Sequence, residues 1–180
     1  PLPTQFQGRF RFVVATQDWH PPHHGCFAGN HPGRAVGEVI WLAKLPQILQ
    51  PAHCVQHTRG AELAPGLLRR RLNRVFKRGT DPLYDSRSAF FDLGHEQSTG
   101  LNDYLQGRGV TQVFVLGLPT EEGVKFTALD AVGLGFKTFV IADACCGRDA
   151  ALASAALEEM KKAGVSLVQS QDILDASRWS

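Results

Sequence analysis

No stretch of this sequence approaches the roughly 20 consecutive apolar residues that a membrane-spanning helix needs, and no secretory leader opens it. Membrane insertion and export are therefore not expected. The net charge is only +2, too small to argue for a nucleic-acid or membrane partner. The one basic run, Arg69-Arg70-Arg71, sits in a helix-like stretch and reads as a solvated face rather than a phosphate track. Cysteine is scarce. Cys26, Cys54, Cys145 and Cys146 form no C-x-x-C pair and no disulfide framework, so reduced thiols in a cytoplasmic protein are expected. Methionine is scarcer still: the chain opens on Pro1 and its one methionine is Met160. The expectation is a processed or cut product of a longer chain.

What is present suits one domain. The 180 residues, 43% apolar and 20% charged, are enough for a single real core, and residues 1–180 are read as one unit. Apolar, β-branched runs predict strands over Arg11–Thr16, Val75–Lys77, Val113–Leu116, Thr138–Ile141 and Val165–Val168, the first and third of them buried. Helices are expected over Leu63–Leu72, from a Ser98 or Thr99 cap to Leu105, from an N-cap at Thr120 through Glu121–Leu134, and over Ala150–Lys162. Strands alternating with helices imply an α/β fold with a mainly parallel sheet. Ligands then collect beyond the carboxyl ends of the strands. The segment after Thr16 and the segment Pro119–Gly123 should share that mouth.

The chemistry-bearing cluster is Gln17-Asp18-Trp19-His20, with His24 and His53 beyond it. Asp18 and His20 are two residues apart, so on extended chain they face the same way. His53 from a later loop would complete one face of a divalent metal with open positions, as catalytic sites have. A Pro-rich loop of surface histidines fits the same pattern, and spacing alone does not separate the two. Cys54, beside His53, reads as a small buried hydrophobe rather than a nucleophile; Cys145 and Cys146 read as structural.

Ordered motifs settle more. Val13 to Pro21 and His24-Gly25-Cys26-Phe27-Ala28 resemble the metal-binding segment of bacterial nicotinamidases, members of the isochorismatase-like hydrolases. Leu45-Pro46-Gln47, His53-Cys54-Val55-Gln56 and Gly60-Ala61-Glu62-Leu63 resemble that family's second metal segment. Asp81-Pro82, Asp85-Ser86 and Ser88 to Asp92 resemble its next block, and Val124 to Ala131 its nucleophile helix. The resemblance runs from about Arg11 to the C-terminus. It implies a three-layer α/β/α fold and hydrolysis of nicotinamide to nicotinate and ammonia. It also implies a divalent metal held by Asp18, His20 and His53, with His24 a candidate fourth ligand. Zinc suits that donor set, as do iron and manganese. The small-molecule partner implied is a pyridine carboxamide; a homo-oligomer is left open. The family's sheet has a further central strand carrying a general-base aspartate. Pro1–Gln7 contain no aspartate, so that strand and its base are expected upstream of this chain.

The departures fall at the reaction centre. Gly123 stands where the family has its nucleophilic cysteine, Pro119 where an N–H serves the oxyanion hole, and Arg78 where it has a lysine. Gln50 replaces a pocket tryptophan and Arg87 a tyrosine. Glycine forms no acyl-enzyme, and proline has no N–H to donate. Arginine keeps the charge with different geometry; Lys77, its neighbour, faces the other way on a strand. The expectation is impaired or absent thiol amidase chemistry at a retained metal site. Alternatives are a hydrolase using metal-bound water with Glu121 or Glu122 as base, a non-catalytic ligand-binding protein, and a gene fragment.

Overall fold

The computed structural model describes residues 9–175; Pro1–Gln7 lie outside them. Among the described residues seven strands and four helices follow in order: β1 (Val14–Asp18), β2 (Val39–Leu42), β3 (Leu45–Ile48), β4 (Arg74–Arg78), α1 (Leu101–Gln106), β5 (Gln112–Gly117), α2 (Lys125–Gly133), β6 (Lys137–Cys145), α3 (Ala150–Lys162), β7 (Ser166–Val168) and α4 (Ser170–Leu174). A π-helical turn, Thr120–Val124, joins β5 to α2.

The parallel strands form two separately hydrogen-bonded sheets. β1 pairs with β4, and β5, β6 and β7 lie side by side in that order. Among the described residues no strand joins β1 to β5. This explains one difference from expectation: β1 and the Val113–Leu116 segment are half-buried rather than buried. Side chains bridge the gap instead. Phe76 of β4, Leu101 and Leu105 of α1, Ala131 of α2 and Phe90 form one core cluster, against which Val14 and Val113 pack. A second cluster of Val124, Ala128, Val140, Met160 and Val165 seals α2 and α3 onto the other sheet.

Several boundaries moved for identifiable reasons. β1 starts three residues later and ends two later than Arg11–Thr16, because its register is set by β4: Val14 opposes Arg74 and Asp18 opposes Arg78. The helix over Leu63–Leu72 is absent. Pro65 and Gly66 interrupt it, and only a 3-10 turn, Arg69–Arg71, remains, fully exposed as a solvated face should be. Thr120 does not cap a helix. It is buried inside the π-helical turn, and the regular helix begins at Lys125. Gly100, in the left-handed region, precedes α1, while the Thr99 hydroxyl accepts from Leu101 N (3.2 Å). α3 occupies Ala150–Lys162 as expected. Asp149 accepts from Leu152 N, and two lysines complement the dipole at the far end.

The antiparallel ribbon β2–β3 was not anticipated. Its Ala43-Lys44 turn takes positive φ at both residues without the usual Asn or Gly.

Candidate active-site cleft

One cleft at the carboxyl ends of β1, β4 and β5 gathers Asp18, His20, Gln50, His53 and Arg78 on one side. Pro119 and Gly123 face it from the other. Backbone pairing brings these distant segments together. His20 N donates to Cys54 O (3.0 Å) and Gln56 N to His20 O (2.8 Å), which seats His53 beside β1. Ala28 N donates to Gln50 O and Gln50 N to Cys26 O, which seats Gln50. The two rings His20 and His53 are 4.7 Å apart, and Phe27 lies 5.5 Å from each.

Two of the expected donors, His20 and His53, keep ring nitrogens available. His20 is 1% exposed, and both its ring nitrogens are buried without a hydrogen-bond partner, a costly arrangement unless something else binds them. Its Nε2 stands 3.8 Å from Asp85 Oδ1, too far for a hydrogen bond. His53 Nδ1 donates to Pro51 O (2.9 Å), which leaves the Nε2 lone pair free. His24 is different. Its Nδ1 accepts from Cys26 N (3.1 Å) and its Nε2 donates to Tyr84 O (3.3 Å), so both nitrogens are engaged. Burial and the neighbouring His20 lower its pKa, keeping it neutral. His20, His24 and Cys26 do bring one ligating atom each to within 4.8 Å of one another. Burial pushes the Cys26 thiol up to about 12. Neither His24 nor Cys26 lines the cleft.

Asp18 is claimed by a neighbour. Because it opposes Arg78 across β1–β4, the Arg78 guanidinium reaches its carboxylate with Nε on Oδ1 and Nη2 on Oδ2. Nη1 of Arg78 donates to Arg87 O (2.8 Å). Lys77 points away and covers the Trp19 ring at 3.7 Å. Asp85, which also lines the cleft, accepts from Gln47 Nε2 and Ser86 N. Burial alone would raise its pKa, but the His20 ring and the Ser86 N–H outweigh that and hold it well below the usual carboxylate range.

The opposite wall is the turn after β5. The Leu118–Pro119 bond is cis, and Pro119 O accepts from Glu122 N and Val124 N. Gly123 offers no side chain, and a Cβ there would lie 3.2 Å from Arg78 Nη2. Glu122 faces the cleft but is paired with Arg148 (2.9 Å). Glu121 instead accepts from Arg148 N (2.9 Å). Arg148, from the loop before α3, had no sequence signal, since only the return of β6 beside β5 brings it here. Asp85 did have one: it stands in the Asp85-Ser86 motif that resembles the family's third block.

Parallel strands that deliver a carboxylate, two imidazoles and a tight turn to one mouth define an α/β domain with a ligand site at its strand ends. The comparisons name the family. An isochorismatase-domain model matches residues 12–172, and the chain belongs to the isochorismatase family. It is similar to the nicotinamidase of Escherichia coli, 46% identical over 78% of this chain and 66% of that protein. The chain thus spans about two thirds of that relative's length. Among solved structures it resembles an Acinetobacter baumanii nicotinamidase-pyrazinamidase at 44% identity and TM-score 0.91, covering 96% of this chain and 84% of that one. It also resembles the Pyrococcus horikoshii pyrazinamidase in complex with zinc, at 33% identity and TM-score 0.71, over 92% and 79%.

Proposed function

We propose that this chain is a single isochorismatase-type domain that binds a small pyridine carboxamide-like molecule at a divalent-metal site and does not run a thiol amidase reaction. Asp18, His20 and His53 are the metal ligands, and zinc is the metal, in line with the P. horikoshii relative. A metal there supplies a Lewis-acidic anchor for a ring nitrogen. Gln50 and Gly123 border the ligand, and His24 holds His20 in place from behind. The compartment proposed is the cytoplasm.

The single observation that carries this reading is Gly123. The nucleophile position has no side chain, and the Arg78 guanidinium lies against the space where one would be. Thr120, the nearest hydroxyl in the turn, is buried. Pro119 contributes no N–H to the adjoining wall. Ser86 lines the cleft, but it is buried and its hydroxyl is bonded to the carbonyls of Ser88 and Phe91. Position 123 itself offers no atom on which an acyl intermediate could form.

The test is ammonia release from nicotinamide by the zinc-loaded chain, beside calorimetric binding of the same compound. Binding without turnover is expected. Turnover at roughly 1 s⁻¹ or faster, within the ordinary enzyme range, would overturn the proposal.

A further inference from the structure

The register of β1 on β4 sets Asp18 opposite Arg78, so the two side chains stand on the same face of the pair at the same level. The guanidinium meets both carboxylate oxygens, with Nε on Oδ1 and Nη2 on Oδ2. The Arg78 side chain is 10% exposed and that of Asp18 26%, so this pair is held closer than a loose surface ion pair. A planar fork on a carboxylate is among the stronger charge-assisted contacts a protein makes. Nη1 adds a further tether, to Arg87 O (2.8 Å).

The two imidazoles beside this pair are in the opposite condition. Both ring nitrogens of His20 are buried without a hydrogen-bond partner, and His53 keeps Nε2 once Nδ1 is bonded to Pro51 O. Of the three proposed metal ligands, two therefore have a nitrogen to give. The third, the one anion of the set, is held by a cation of the chain itself. A divalent metal that takes Asp18 must share it with the guanidinium or displace the guanidinium. Sharing sets a double positive charge beside a single one in a partly buried cleft, where water and salt screen the repulsion poorly. Displacement has somewhere to go. Arg78 Nη2 and Nη1 lie 3.2 and 3.7 Å from the point where a side chain at 123 would begin, and Leu118 O lies 3.4 Å from the same point. With glycine at 123, the fork has room to turn towards that carbonyl.

We infer that Arg78 is an internal cation that competes with the divalent metal for Asp18, so that metal uptake and opening of the Arg78–Asp18 pair are one event. This rests on the proposed metal site and adds to it the residue that holds its affinity down. A guanidinium that instead supported a metal-bound carboxylate from outside would have the opposite sign, because loss of such a partner weakens metal binding about 10–100-fold.

The test is zinc titration of the metal-free chain against a chromogenic chelator, repeated with Arg78→Gln and Arg78→Lys. Arg78→Gln is expected to bind zinc about tenfold more tightly or better, the scale of one charge-assisted contact that the metal no longer has to break. Arg78→Lys keeps the charge on a compact head without the fork. Its zinc affinity should fall between those of the wild type and Arg78→Gln, and it carries the test if the glutamine variant does not melt cooperatively. A second readout follows Arg78 itself: hydrogen exchange at its Nε, measured by heteronuclear NMR, should speed up when zinc is added to the wild type. Zinc affinity unchanged or weakened in the folded variants overturns the inference and leaves the metal-site reading standing. Slow exchange at Nε that zinc leaves unaltered does the same. Failure of all three chains to bind zinc while melting cooperatively overturns the inference and the reading together.

Discussion

Gly79→Ala is the most informative single perturbation, because two independent costs meet at one atom. Gly79 follows Arg78 with φ +63°, and a Cβ there would lie 2.5 Å from His20 Nε2 and 2.7 Å from its Cδ2. The left-handed backbone costs a non-glycine residue about 1–2 kcal/mol. The His20 ring cannot yield cheaply, since it is buried between His24, Phe27 and His53 at centroid distances of 4.7, 5.5 and 4.7 Å. Overpacking of that kind costs about 1–3 kcal/mol. The sum, about 2–5 kcal/mol, is a large share of the stability of an ordinary domain. A central loss of about 3 kcal/mol would lower the melting temperature by about 6–12 °C for a chain of this size. The assay is thermal and urea unfolding of the chelated chain, which keeps metal linkage out of the comparison, followed by a zinc titration. Zinc affinity should fall as well, because the displaced ring is a proposed ligand. A stability loss below about 1 kcal/mol would refute both the close approach and the left-handed conformation at this position.

Four further outcomes follow from the site and its surroundings. His53→Ala should weaken zinc binding roughly tenfold or more. His24→Ala should lower stability with a smaller effect on zinc, because both His24 nitrogens are already engaged; competition against a chromogenic chelator separates the two. Of the four thiols, exposed Cys146 should react first with a disulfide reagent at pH 8, and Cys26, buried and pushed up to about 12, should react only on unfolding. Cys145 is pushed up to about 11 by burial and donates to Ile141 O (3.2 Å). A raised thiol pKa means that the unfolded chain ionises first. Its contribution to stability is therefore full below about pH 9 and is lost as pH rises towards 11. Cys145→Ala should flatten that alkaline slope in urea melts.

Much of the fold could be read from local pattern. α3 came out at its true boundaries because its Ala-rich body and terminal lysines agree, and the structure adds an Asp149 cap. The later strands followed from short apolar runs. The failures share a cause: pairing or backbone geometry set from outside the segment. β1 shifted because β4 sets its register. The helix at Glu121 began late because a π-helical turn intervenes. The ribbon β2–β3 turns on Ala43-Lys44, residues that do not announce a hairpin. At the site, spacing and resemblance pointed to Asp18, His20 and His53, and all three line one cleft, although among the described residues the ligating atoms that come within 4.8 Å of one another are those of His20, His24 and Cys26. What no spacing could reveal is that Asp18 opposes Arg78 across two strands 60 residues apart. The engagement of His24 Nε2 depends on Tyr84, equally far along the chain, while Nδ1 is met by nearby Cys26.

The division of the sheet has a mechanical consequence for the cleft. Its histidine wall rides on β1 and β4, and its glycine wall on β5, yet no backbone ladder among the described residues ties one pair to the other. A hydrogen-bond ladder fixes spacing to a fraction of an ångström, whereas packed side chains such as Phe76, Leu101 and Ala131 permit small sliding. Among the described residues the distance from His20 to Gly123 is therefore set by side-chain packing rather than by a backbone ladder. A ligand that touches both walls adds a tie between them, and its clearest signature would be slowed amide exchange along the facing edges of β1 and β5.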